Sequence, residues 1–245
     1  FVIDEPARRV FKHTLMTLRD YCNLRDWGVG VCGRHPFNGN IPEKDVEAFA
    51  RLAMLGDLTG AGHDVDPELG GAFLALGGKN KELQAALKQA GIKSLAPEEG
   101  FRVYNYGGFG VHRRGDWMIT LKGYNSDVWS TEIYAADNRF GRYISYGSAQ
   151  LIGSGGAEAS GYVQDGWDWN RYPGVTSIHL PFEKLESPLP GTLMERNTSR
   201  FPGVSSLEGM NGCLAFTYTE RDRVNFCAGA TATKSVFCFD NRIIH

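Results

Sequence analysis

Apolar residues recur at two different periods along this 245-residue chain, and the change falls near Ala96-Pro97. Before it, Val10, Phe11, Leu15 and Leu18 share one face of a helix that follows a start signal at Asp4 to Pro6. A second helix follows Pro42. In it Val46, Phe49, Leu52 and Met54 alternate with Glu43, Asp45 and Arg51, and Gly56 is the expected C-cap. Asp66-Pro67 opens a third helix, from Glu68 to near Gly77-Gly78, and Asn80 caps a fourth that runs to Gly91. Short helices joined by tight turns predict an array of helical hairpins.

From Phe101 onward the period is two. Phe101, Val103, Phe109, Val111, Trp117, Ile119 and Leu121 mark strands, with a turn at Arg114-Gly115-Asp116. Residues 214–218 and 235–239 continue the pattern, and Asp240-Asn241 turns the chain before Ile243-Ile244. The expected class is therefore α+β, with helices over residues 1–96 and antiparallel strands over 97–245. No repeat, low-complexity tract or polar linker separates the two regions, so they are expected to pack directly. Ile243-Ile244-His245 opens a strand with nothing after it, and its backbone groups need partners. Both ends are thus expected to be cuts in a longer protein.

Composition narrows the class. Forty-two per cent hydrophobic residues are enough to bury a core, and no run approaches the roughly 18 apolar residues of a membrane span, so a soluble globular protein is expected. The first residues lack the basic start and apolar stretch of a signal peptide, so any export signal would lie outside this chain. A net charge of −2 argues against nucleic-acid binding. Charge is local, however: Arg102, Arg113, Arg114, Lys122, Arg139 and Arg142 fall in one segment, against Asp116, Asp127, Glu132 and Asp137. This reads either as a solvated mixed surface or as a groove for a sulfated, carboxylated sugar chain, for which the Arg fork is suited. The five cysteines lack metal-type spacing and read as core thiols, with one bridge among Cys213, Cys227 and Cys238 left open.

The densest block is Asp165-Gly166-Trp167-Asp168-Trp169-Asn170-Arg171-Tyr172-Pro173-Gly174, which breaks at Pro173-Gly174 and enters a β-branched segment, Val175 to Pro181, expected as a strand. Three further blocks stand in order with it: Gly33-Arg34-His35-Pro36-Phe37-Asn38; Trp129 to Tyr134 with Asp137-Asn138-Arg139; and Ser205-Ser206-Leu207-Glu208-Gly209. Together they resemble polysaccharide lyase family eight, most nearly its broad-specificity chondroitin ABC lyases. The resemblance implies the end of an α/α toroid (residues 1–96) followed by the first part of an antiparallel β-sandwich region (97–245). It also implies β-elimination at the uronic acid of chondroitin or dermatan sulfate, giving unsaturated oligosaccharides.

Eliminating across a uronate requires neutralising its carboxylate, removing the C5 proton and protonating the departing O4. By the resemblance, Arg34 is the catalytic Arg that stabilises a Tyr phenolate, and Glu132 is the carboxylate that orients the site. His35, Asn125, Trp129 and Arg139 are the substrate-binding candidates. Asn125 is a possible polar partner, but an Asn beside Ser126 and Asp127 is more often a turn residue. Trp129 is preferred over Trp117, Trp167 and Trp169 for sugar stacking because it lies close to Glu132. Two departures from the family weaken the transfer: Ala135 stands where narrower-specificity relatives have Asn, and the His-x-Gly-Asn-Tyr segment that supplies base and acid is absent. The intact protein is expected to be a lyase and this chain not to turn over alone. The expected partner is a sulfated glycosaminoglycan, with no nucleic acid, no membrane and a monomeric state; the location is secreted or periplasmic. Elimination needs no cofactor, and whether a divalent cation binds is left open. The rival readings are a glycoside hydrolase on an α/α scaffold, for which Glu132 lacks an evident partner carboxylate, and a non-catalytic carbohydrate-binding β-sandwich.

Overall fold

The computed structural model describes residues 4–21, 43–54, 65–131, 140–185, 196–219 and 230–245. Their contacts divide them into two compact units, with the division between Glu98 and Glu99.

The first unit is helical: α1 (Glu5–Tyr21), α2 (Glu43–Ala53), α3 (Pro67–Ala75) and α4 (Lys81–Gln89). The third start signal works as expected. The Asp66 carboxylate accepts from the backbone N–H groups of Glu68 and Leu69, each at 3.1 Å, satisfying donors that have no partner inside the helix. It also receives the Lys12 ammonium at 3.0 Å, fastening α1 to the head of α3. Asn80 caps α4 through Leu83 N at 2.9 Å. Phe49, Ala53, Leu69, Phe73, Leu83 and Leu87 make the fully buried centre. Gly70 sits mid-helix because a Cβ there would lie 2.3 Å from Leu87 Cδ2, so its lack of a side chain lets α3 and α4 approach. The α1 face is only partly as expected: Leu15 and Leu18 reach the core, whereas Val10 and Phe11 are exposed. Gly56 lies outside the described residues.

The second unit contains two four-stranded antiparallel sheets, each a meander with strands in sequence order. The first comprises β1 (Gly100–Tyr104), β2 (Phe109–Arg114), β3 (Trp117–Lys122) and β4 (Ser148–Ile152); the second, β5 (Pro202–Leu207), β6 (Asn211–Thr219), β7 (Thr231–Phe239) and β8 (Arg242–Ile244). Arg114 pairs with Trp117 and Phe239 with Arg242, so the turns at Gly115-Asp116 and Asp240-Asn241 fall where the sequence places them. Phe101, Ile119 and Leu121 from the first sheet join Leu214, Phe216 and Val236 from the second in one core. The sheets are also latched by polar groups: Phe101 N–H donates to Gly209 O at 2.7 Å, and Arg114 donates to Asp240 O at 2.9 Å and Met210 O at 2.8 Å. His112 Nε2 lies 2.7 Å from Asp240 O, which requires this nitrogen to carry the proton.

One expectation changes here and two are narrowed. Residues 175–181 form no strand. Pro173 and Pro181 lack the N–H that a ladder needs, and the Asn170 amide closes the segment instead, donating to Leu180 O and accepting from Leu180 N, both at 2.8 Å. Three cations of the basic segment, Arg113, Arg114 and Lys122, are buried and so offer no charge to a substrate groove, while Arg102 is half-buried and Arg139 lies outside the described residues. Arg114 gives Nε and Nη2 to backbone carbonyls while its Nη1 lies 3.8 Å from the Glu99 carboxylate, and Lys122 Nζ reaches Gly107 O at 2.6 Å and Gly123 O at 2.9 Å. Finally, Cys213 and Cys238 are free thiols, and burial pushes that of Cys238 up to about 12; Cys22, Cys32 and Cys227 lie outside the described residues.

Candidate functional site

Arg34, His35, Glu132 and Arg139 lie outside the described residues. Of the sequence-derived site, the structure describes Asn125, Trp129 and the chain on either side of residues 132–139. The flanks are closely tied. Thr131 donates its hydroxyl to Gly141 O at 2.7 Å, and the Ser145 hydroxyl bonds that of Thr131 at 3.0 Å and accepts Thr131 N–H at 2.5 Å. Thr131 and Ser145 are both buried, so the backbone immediately before Glu132 is set by a satisfied polar cluster.

Asn125 follows its turn reading. Its side-chain oxygen accepts from Asp127 N at 2.8 Å and Val128 N at 2.5 Å, and its amide nitrogen donates to Arg200 O at 3.2 Å. Its carboxamide therefore shapes the chain and joins it to residues 196–201. The joint continues through the backbone: Asn197 N–H donates to Asn125 O and Ser126 N–H to Ser199 O, each at 3.0 Å. Asn197 is itself buried and anchored to β6, donating to Thr217 O at 2.8 Å and accepting from Ser199 N at 3.1 Å and the Thr219 hydroxyl.

Above this joint stands Trp129, 46% exposed, with the Arg196 guanidinium carbon 4.1 Å from its ring centroid. Sequence reasoning singled out Trp129 and missed Arg196 and Asn197. The only signal near them is the turn-forming run Asn197-Thr198-Ser199, which names no chemistry.

The remaining Trp candidates are placed differently. Trp169 is buried, stacked between Phe140 at 5.3 Å and Tyr172 at 5.9 Å, and Trp167 meets Tyr172 edge-on at 5.3 Å. The Tyr172 hydroxyl donates to Gln150 Oε1 at 2.9 Å, and burial holds its pKa well above the usual phenol value. This aromatic block is core, as the preference for Trp129 supposed. Trp117 lines an open groove with Leu151, Gly153, Ser160, Asn241 and Ile243, none of which carries an ionisable side chain. His179 is exposed. Among the described residues no three His, Cys, Asp or Glu side chains converge as metal ligands, and no helix is long and apolar enough to cross a membrane.

Comparison with known proteins places this geometry. Residues 99–245 match the super-sandwich domain of polysaccharide lyase family 8, and residues 1–82 match a lyase catalytic domain. Over its whole length the chain is 40% identical to the chondroitin sulfate ABC endolyase of Proteus vulgaris, of which it covers 23%. It is 29% identical to the chondroitin sulfate ABC exolyase of Bacteroides thetaiotaomicron, of which it covers 26%. The chain thus spans about a quarter of the length of these curated relatives. Among solved structures, a chondroitinase AC lyase aligns over 99% of this chain and 32% of its own at a TM-score of 0.70 and 19% identity. A Paenibacillus xanthan lyase aligns over 98% and 23% at 0.67 and 14%. At such identities the likeness is one of fold: helices of an α/α toroid followed by antiparallel sheets. The chain belongs to polysaccharide lyase family 8.

Proposed function

We propose that the protein to which this chain belongs is a glycosaminoglycan lyase that cleaves chondroitin or dermatan sulfate by β-elimination at the uronic acid. The observation that carries the reading is the 40% identity to a chondroitin sulfate ABC endolyase along the entire chain, helical and sheet parts alike. In the proposed reaction a base takes the C5 proton, the electron pair forms the C4–C5 double bond, and O4 leaves with a proton from the acid. Arg34 stabilises the anionic phenol and the bridging oxygen, and Glu132 holds Arg34 and the base in register. Residues 1–96 supply the last helices of the toroid and 97–245 the first part of the sandwich. The substrate is an extracellular polymer, so the proposal includes a secreted or periplasmic location; the elimination itself requires no cofactor.

The test is the ultraviolet absorbance of the conjugated uronate produced from chondroitin sulfate by the intact protein. Hydrolysis would give reducing ends without absorbance, and a binding module would give neither. Arg34→Ala is expected to lower kcat by at least about a hundredfold, the scale of one oxyanion donor, with a much smaller effect on KM. A variant with near wild-type kcat would remove Arg34 from the mechanism.

A further inference from the structure

We infer that Trp129 and Arg196 form a sulfate-reading subsite, in which the stacked guanidinium grips a sulfate ester of the polysaccharide while the indole packs against the sugar bearing it. The inference rests on the lyase reading above and adds to it a residue that selects among substrates.

The argument begins with what holds the pair. Both side chains are exposed, and an exposed Arg ordinarily loses considerable rotamer freedom when it binds an anion. Here that loss is largely taken on folding, because the guanidinium already lies 4.1 Å above the indole centroid. The two segments are pinned beneath it: Asn197 N–H to Asn125 O, Ser126 N–H to Ser199 O and Asn125 Nδ2 to Arg200 O, with Asn197 tied to β6. A buried polar joint of this kind under an exposed aromatic and cation fixes their mutual position, as a preorganised site requires.

The chemistry follows from the stacking. An indole covers one face of the guanidinium but leaves its N–H groups, which lie in the guanidinium plane, directed outward. Two parallel N–H donors match two oxygens of a sulfate in the bidentate arrangement that Lys cannot reproduce. The carboxylate in the adjoining turn, Asp127, receives the Ser126 hydroxyl at 3.3 Å. The part of Trp129 left uncovered offers an apolar surface beside the cation, suited to the C–H face of a pyranose.

The experiment compares chondroitin sulfate with unsulfated chondroitin, which keeps the uronate carboxylate and lacks the ester. In the intact enzyme, Arg196→Ala is expected to lower the ratio of kcat/KM for sulfated over unsulfated polymer about tenfold, mainly through KM, as the loss of one exposed charge-assisted contact. Arg196→Lys, which keeps the charge and loses the fork, is expected to recover only part of the ratio, and Trp129→Ala to lower it as well. Thermal midpoints verify that each variant is folded. Full recovery by Lys, or a ratio unchanged in Arg196→Ala, would overturn the subsite and leave the lyase reading intact. A wild-type enzyme that releases no unsaturated product from either polymer would overturn the lyase reading and the subsite together.

Discussion

Lys122 is an ammonium group kept out of water by two carbonyls, those of Gly107 and Gly123. Burial pushes its pKa down from 10.5 to about 8. Between those values the unfolded chain binds more protons than the folded one, so the contribution of Lys122 to stability rises with pH from about 8 to 10.5 and is lost as pH falls through 8. Lys122→Met abolishes that gain and leaves both carbonyls unpaired. Its destabilisation relative to wild type is expected to be smallest below pH 8 and to grow toward pH 10.5. Urea midpoints of the two proteins at about pH 7.5 and about pH 10 measure this, and a difference independent of pH would refute it. Lys234, also pushed down to about 8, is present in both proteins and cancels from the comparison. The sequence misplaced Lys122 for a physical reason. A cation in a period-two strand with opposite charges nearby reads as a solvated face, and nothing local announces that two carbonyls will converge on it.

At the scale of elements, local signals were the readable ones. Asp66 and Asn80 satisfy N–H groups within three residues of themselves, and the hairpin turns lie between strands that pair across them, so the caps and turns stand as the sequence placed them. The β-branched run after Gly174 misled because strand propensity gives the side-chain preference and not the partner. Here the partner is the Asn170 amide, already placed by its own turn, with Asp168 accepting Asn170 N–H at 3.0 Å. Gly174 itself is required: φ is +73°, and a Cβ would lie 2.6 Å from Ala149 N. That nitrogen begins the contact between the segment and β4 by donating to Pro173 O at 3.0 Å. Gly174→Ala is therefore expected to cost at least about 1–3 kcal/mol, the range for a residue forced into the left-handed region, with the displaced backbone contact in addition. Thermal unfolding measures it, and an unchanged midpoint would show that the segment relaxes freely.

For the whole molecule, the α+β class and the order of its two parts were readable because the hydrophobic period itself changes. The candidate site rests on motifs alone at Arg34 and Glu132, which lie outside the described residues. Arg34 and Glu132 came from their blocks, and Trp129 from nearness to Glu132, whereas Arg196 is joined to Trp129 through hydrogen bonds that cross some 70 residues and leave no trace in spacing. This chain alone, holding Arg34 and Glu132 but no His-x-Gly-Asn-Tyr segment, is expected to bind chondroitin sulfate weakly and to release no unsaturated product. Binding should fall as salt rises, because attraction to sulfate and carboxylate is screened over about 8 Å at physiological ionic strength. Titration of the polymer at several salt concentrations, with absorbance followed in parallel, checks both parts. Turnover would place the base within these residues, with His35 and His179 the first to replace.

The latch of His112 and Arg114 on Asp240 joins residues 128 and 126 positions apart, whereas every strand in both sheets pairs with its neighbour in sequence. During synthesis the first meander can therefore close as soon as it leaves the ribosome, while the carbonyl that locks it is still untranslated. At 5 to 20 residues per second the interval is on the order of ten seconds. Throughout it Phe101, Ile119 and Leu121 lack the second sheet that will cover them, which leaves apolar surface open to chaperones and to aggregation.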